Sequence, residues 1–198
     1  TRIVAGTGNG SAPLSIEGFA DEAHAVPSML AQIRTAEAGG AQATVLACFD
    51  DPGLDAARGR WIAFLDADDR FLPGKLKTQV AAMQERGLSL SWTSYRVLGR
   101  GGRDQVTPAT ASLRDLRHKR VVIGCSTVMI DRARLGRHRF DEALPLAEDF
   151  ALWLTMLRDC RARGLRHGGI PEILTEYRAQ GGISADKRRA ALAHWAAL

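Results

Sequence analysis

Two periods of hydrophobicity run along this chain: short apolar runs bounded by Gly, Pro or acids, which predict strands, and apolar stripes spaced three and four apart, which predict helices. Trp61-Ile62-Ala63-Phe64 is the clearest run, and Thr44 to Phe49 is another, ending at Asp50-Asp51. Between Leu88 and Val97, Leu88, Leu90 and Trp92 share one strand face while Ser89, Ser91 and Thr93 take the other. Val121 to Ile130 is strand-like with a break at Gly124, Ile170 to Tyr177 is a last strand, and Leu14 to Phe19 is a short early one. Helical spacing occurs over Val26 to Ala36 on Met29, Leu30 and Ile33. It recurs from Pro73 to Arg86 on Leu76, Val80 and Met83, and again on Phe150, Trp153, Leu154 and Leu157. Thr1 to Pro13, rich in Gly, Ser and Ala, reads as a flexible segment, and a basic helix follows from Ala185. Strands alternating with helices predict an α/β layered fold.

The 198 residues fit one domain with a substantial core. No apolar stretch is long enough to span a bilayer, and the start lacks the layout of a signal peptide. Cys48, Cys125 and Cys160 are odd in number and far apart, which predicts neither a disulfide framework nor a zinc site and suits the cytoplasm. The net charge of +5 is uneven: Arg100 to Arg139 holds ten Lys or Arg against Asp104, Asp115 and Asp131. Such a surface attracts phosphates, of lipid, nucleic acid or pyrophosphate, or is simply a solvated arginine-rich face. The few aromatics do not interleave with the basic residues, so no nucleic-acid partner is expected.

Candidate chemistry concentrates in Leu65-Asp66-Ala67-Asp68-Asp69, directly after the Trp61 run. Three carboxylates in four positions repel one another unless a cation neutralises them, and oxygen-rich sites of this kind suit Mg²⁺ or Mn²⁺ bridging to phosphates. A solvated acidic turn ahead of the next helix is the competing reading. Glu148-Asp149 has the same ambiguity, because a helix dipole favours acids in its first turn.

The blocks Ala57 to Asp69, Pro73-Gly74-Lys75-Leu76 with Gln79, Ser91 to Tyr95, Gly124 to Arg132, Glu148 to Leu154, and Glu176-Tyr177-Arg178 occur in one order. In that order they resemble family 2 glycosyltransferases of the GT-A fold, closest to bacterial enzymes of cell-envelope polysaccharide and teichuronic acid biosynthesis. The resemblance implies a mixed central sheet flanked by helices, with a single domain over 1–198. Residues 57–198 would be the DXD and acceptor part. Residues 1–56 would be an atypical, shortened nucleotide-binding part, because about fourteen residues separate Asp51 from Leu65, too few for a further strand and helix.

The implied reaction is transfer of a sugar from a nucleotide-diphospho-sugar to an acceptor hydroxyl, with inversion and with Mn²⁺ or Mg²⁺ as cofactor. Asp68 and Asp66 would hold the metal, with Asp66 nearer the ribose, and Asp51 and Arg178 would contact the donor. Asp149 would be the base, with Glu148 beside it. Asp69 would orient the loop or cap the next helix. Trp153 is either core or a sugar platform. The acceptor would be a saccharide or a polyprenyl-diphosphate-linked one, met at the inner face of the plasma membrane through peripheral contact with anionic lipid. Open alternatives are a non-catalytic nucleotide- or saccharide-binding relative, a haloacid-dehalogenase-like phosphatase and a basic RNA-binding module.

Overall fold

The computed structural model describes residues 2–5, 41–46, 59–66, 69–99, 102–141, 144 and 147–178. The expected elements at Leu14 to Phe19, at Val26 to Ala36 and from Ala185 lie outside these residues. An eight-stranded mixed sheet organises them. Strands β1 (Arg2–Ala5), β2 (Ala41–Leu46) and β3 (Trp61–Phe64) run parallel in that order. The Arg2–Ala5 strand corrects the flexible reading of Thr1 to Pro13, since partner pairing outweighs the small-residue composition around it. Next come β7 (Met129–Asp131), antiparallel to β3, and β5 (Leu88–Leu98), antiparallel to β7. Strand β8 (Arg166–Arg178) runs parallel to β5, and the short β4 (Arg70–Phe71) closes the edge antiparallel to β8. Strand β6 (Asp104–Gln105) adds a short antiparallel pairing to β5.

Alternation along β3 divides the core in two. Ile62 and Phe64 join a large cluster with Leu90, Trp92 and the apolar face of helix α4 (Glu148–Arg163), including Phe150, Trp153, Leu154 and Leu157. Trp61 and Ala63 join a smaller cluster with Val80 and Met83 of helix α1 (Lys75–Arg86). The sheet is therefore covered on both faces, which is why its central strand reads as continuously apolar rather than alternating. Leu88 departs from the expected shared face: the β5–β8 register shifts between Leu88 and Leu90, and Leu88 packs in the α1 cluster. Residues Leu88 to Ser94 are all buried, so Ser89, Ser91 and Thr93 form a buried polar seam under α1.

Helix α1 starts at Lys75 after a left-handed Gly74 (φ 84°), two residues later than the Pro73 start expected from sequence. It stops at Gly87, whose φ of 63° lets its amide reach the Gln84 and Met83 carbonyls. Two short helices, α2 (Leu113–Arg117) and α3 (Arg132–Leu135), lacked enough turns to show a stripe. The expected strand Val121 to Ile130 is instead an extended approach, a 3₁₀ turn at Cys125–Thr127 and the three residues of β7. Gly124 marks the break, and the turn exists because tertiary partners take its backbone groups.

Candidate active site

The apolar run of β3 delivers the chain to the acidic pentad at the carboxyl end of that strand. Leaving the strand, the Asp66 amide donates to Ser126 Oγ at 2.9 Å, so the pentad is anchored to the 3₁₀ turn sixty residues away. The Asp69 amide donates to the Asp66 carbonyl at 3.1 Å, tying these two acids of the group together. Asp69 Oδ1 accepts the Arg178 amide at 3.0 Å, while α1 has no side-chain cap. Asp69 thus orients the loop against β8 and does not cap the helix. Beside it, Arg70 Nε donates to Glu176 Oε2 at 2.8 Å, tying β4 to β8.

The 3₁₀ turn is itself held from two sides. Thr175 Oγ1 of β8 donates to the Ser126 carbonyl at 3.2 Å, and Gln79 Nε2 of α1 donates to the Thr127 carbonyl at 2.9 Å. Gln79 also reaches Ser91 Oγ at 3.0 Å and accepts from Lys75 Nζ at 2.5 Å. Lys75 is 1% exposed, lies 4.2 Å from the Phe71 ring centroid, and is pushed down to about 7 by burial. The Lys75/Gln79 pair of the sequence motif is therefore a buried brace for the 3₁₀ turn that anchors Asp66 through Ser126. The motif order of the sequence contains both residues but gives no sign of this role. Their spacing of four, on the helix face that also carries Met83, was the available signal.

Helix α4 brings the second carboxylate pair to the same place. Glu148 and Asp149 occupy its first turn, after an Ala147 held at φ 64°. Asp149 is raised from 3.8 to about 7, first by burial, then by Glu148 beside it; Asp66 adds to the rise, and the Phe150 amide, donating to Asp149 Oδ1 at 2.6 Å, opposes it. A rise of that size corresponds to several kcal/mol at about 1.4 kcal/mol per pH unit. A helix N-terminus supplies up to ~2 kcal/mol in the opposite sense. The dipole therefore does not account for an acid at this position; burial and neighbouring charge win.

Cys125 completes the cluster. Its thiol is raised well above its ordinary value by burial, then by Asp66 and Asp149, with a hydrogen bond to the Asp66 side chain. It is a neutral S–H lodged among three carboxylates. The structure thus gathers Asp66, Glu148 and Asp149 around Cys125, from the end of β3, the start of α4 and the turn before β7. Arg178 sits apart from that group, at the end of β8, joined to the loop through its own amide. Asp51 and Asp68 lie outside the described residues. Trp153 is 1% exposed and packs edge-on against Phe64 at 5.3 Å, which decides for the core reading over the sugar platform. Among the described residues no three His, Cys, Asp or Glu side chains form a metal cage.

A parallel sheet edge extended by an antiparallel strand, with carboxylates at the end of β3 and the start of α4, invites comparison with known proteins. The family model described as glycosyl transferase family 2 matches residues 51–143. That part of the chain belongs to glycosyl transferase family 2. The family 2 region resembles TuaG of Bacillus subtilis, named for a glycosyltransferase role in teichuronic acid biosynthesis: the two are 37% identical over 146 residues, 72% of this chain and 56% of that protein. WfgD of Escherichia coli, a UDP-Glc:alpha-D-GlcNAc-diphosphoundecaprenol beta-1,3-glucosyltransferase, is 32% identical over 148 residues, 73% of this chain and 56% of that one. The chain spans about half the length of these relatives. In fold, it matches the Staphylococcus aureus TarS 1–349 structure in complex with UDP-GlcNAc, with a TM-score of 0.55 and 19% identity over 68% of this chain and 40% of that one. The fold is GT-A, as the sequence implied.

The N-terminal part of the family 2 chain matches something else. Residues 1–61 match the Asp/Glu/Hydantoin racemase family model. A hydantoin racemase of Rhizobium meliloti is 70% identical over 46 residues, 23% of this chain and 19% of that protein. The two family matches overlap at residues 51–61.

Proposed function

We propose that the family 2 region moves a sugar from a nucleotide-diphospho-sugar to an acceptor hydroxyl with inversion, assisted by Mn²⁺ or Mg²⁺. One observation carries the reading: carboxylates of different origin, Asp66 and Glu148-Asp149, come together at Cys125, whose thiol hydrogen-bonds the Asp66 side chain, and Asp149 is raised to about 7. A base whose pKa lies close to the working pH is the most effective proton acceptor. Asp149 would take the acceptor proton, and Glu148 would both raise its basicity and contact the acceptor. Asp66 would stand nearer the donor diphosphate.

The donor set suits a hard divalent cation, because its groups are oxygens and their charge is uncompensated enough to lift Asp149. Asp66 and Asp68 would hold such an ion, with substrate phosphates completing the shell as is usual for Mg²⁺. When bound, the ion would offset charge developing on the leaving diphosphate. Cys125 and Ser126 hold Asp66 in place. Arg178 would meet the donor from the end of β8.

The racemase match bears on the donor pocket. We read residues 1–50 as a segment of racemase type whose strands β1 and β2 extend the sheet, rather than as a shortened nucleotide pocket. Asp51 then stands in the overlap of two families, and base recognition rests on little. A binding-only relative is the second reading, favoured by this same substitution. The acceptor is proposed to be polyprenyl-diphosphate-linked, as WfgD's name states for that protein. No helix among the described residues is long and apolar enough to cross a membrane.

The test is Mn²⁺-dependent release of nucleoside diphosphate from a panel of nucleotide sugars with a saccharide acceptor. Transfer should fall about 10²–10⁴-fold in Asp149→Asn, while donor binding by calorimetry stays near wild type. Donor binding without any turnover in the wild-type chain would establish the binding-only reading instead.

A further inference from the structure

The basic stretch between α2 and the active-site turn has no role in the cluster just described. Residues Arg117, His118, Lys119, Arg120 and Val122 are all exposed. From Arg114 to Val122 the chain carries Arg114, Arg117, Lys119 and Arg120 against the single carboxylate of Asp115, which is 3.8 Å from Arg120. Arg120 remains 61% exposed despite that pair. Val122 is 57% exposed, one of two large apolar side chains so exposed among the described residues.

This segment is rigidly built. The Arg120 amide donates to the Asp115 carbonyl at 2.8 Å and the Lys119 amide to the Leu116 carbonyl at 2.9 Å, the paired bonds of a Schellman cap. Lys119 occupies the left-handed position of that cap, φ 53°, where glycine is usual. Val121 and Ile123 are 8% and 7% exposed and packed in the α4 core cluster, which turns Val122 outward. Several exposed cations on one rigid cap, followed by one exposed apolar side chain, suit an interface that is anionic at its surface and apolar just beneath. Nucleic acid would use the cations but has no use for an aliphatic tip without aromatics.

The place matters as much as the chemistry. Val122 and Cys125 are three residues apart, so at most ~10 Å of extended chain separates them. Cys125 lies among Asp66, Glu148 and Asp149. A surface that presses on this cap would therefore present its lipid-linked material close to the carboxylates.

We infer that the Arg117–Val122 cap is the docking surface of this chain for an anionic lipid bilayer. The purpose assigned to it rests on the lipid-linked acceptor proposed above, but the docking is measured without turnover. The full chain is sedimented with phosphatidylcholine vesicles, with and without phosphatidylglycerol, over a range of salt. Binding should require phosphatidylglycerol and fall as salt rises. Lys119→Gly should weaken it about fivefold, since one cation near such a surface contributes about that factor. The same variant should melt no lower than wild type, because glycine relieves the left-handed position; a merely structural lysine would show no loss of binding. Val122→Asp should weaken binding further at unchanged fold. The inference is overturned by vesicle binding indifferent to phosphatidylglycerol or to both substitutions. Tighter retention on polyuridylate RNA than on these vesicles would overturn it as well. A chain that docks yet transfers no sugar would sink the catalytic reading and leave this one standing.

Discussion

At the scale of single residues, Asp149 has the largest consequences. Its folded-state pKa of about 7 stands above the 3.8 of an ordinary aspartate. Between those pH values the folded protein keeps a proton that the unfolded chain releases, so stability falls as pH rises through the window. In metal-free protein, Asp149→Asn should melt close to wild type near pH 4 and on the order of 5 °C higher at pH 8. Scanning fluorimetry at the two pH values decides it, and a constant difference would mean that Asp149 is not held protonated. Asp159 shows the opposite case on the far part of α4. Its carboxylate lies 2.8 Å from Arg163 and 3.1 Å from His138, and these partners hold it down at about 2. Both acids sit on one helix, and only their neighbours separate their chemistry. None of this was visible from the string Glu148-Asp149, which fits a helix cap and a base equally well.

At the scale of elements, the start of α4 carries strain where function would have it. Ala147 at φ 64° is in the left-handed region, which costs a residue with a Cβ about 1 kcal/mol. Ala147→Gly should stabilise the fold by roughly that amount in urea titration, yet should not improve transfer, because the strain fixes the direction in which Asp149 enters the site. The brace from α1 makes a second prediction. Gln79→Leu leaves Lys75 Nζ without the Gln79 acceptor and the Thr127 carbonyl without the Gln79 donor. Stability should drop by about 2–4 kcal/mol, and the Mn²⁺ requirement for transfer should rise because Asp66 loses its fixed mount. Unchanged metal dependence in a folded variant would show that the turn holds Asp66 unaided. Helices α1 and α4 and strands β3, β5 and β8 could be read from periodicity, because each is long enough or buried enough to repeat its pattern. The 3₁₀ turn could not, since a sequence of apolar and β-branched residues from Val121 to Ile130 matches a strand until its partners are known.

At the scale of the whole molecule, the chain joins two family signatures on one sheet. Strands β1 and β2 fall in the racemase match; β2 pairs in parallel with β3 of the family 2 region, and β1 in parallel with β2. Parallel strands in α/β proteins carry little identity beyond their apolar character, so a foreign pair can continue a sheet without disturbing its core. What such a pair does not transfer is the set of loop contacts to a nucleotide. If donor binding nonetheless survives, Mn²⁺ and UDP together at about a hundredfold over their dissociation constant should stabilise the protein by about 2.7 kcal/mol, a rise in melting temperature of roughly 5–10 °C. Chelator should reverse it. No shift with any nucleoside diphosphate would show that the chain does not hold the nucleotide of such a donor.

The sequence alone determined the α/β class, the family 2 order of blocks and the candidate acids, because these follow from local periodicity and from motif order along the chain. It also showed that residues 1–56 depart from that order. The tertiary structure decided the rest. Only folding brings Cys125 against Asp66 near Asp149, buries Lys75 with its hydrogen bond to Gln79, buries Trp153 in the core and pins Asp69 to β8. Each of these is a contact between residues far apart in the chain, and pKa and burial are properties of such contacts rather than of residue types.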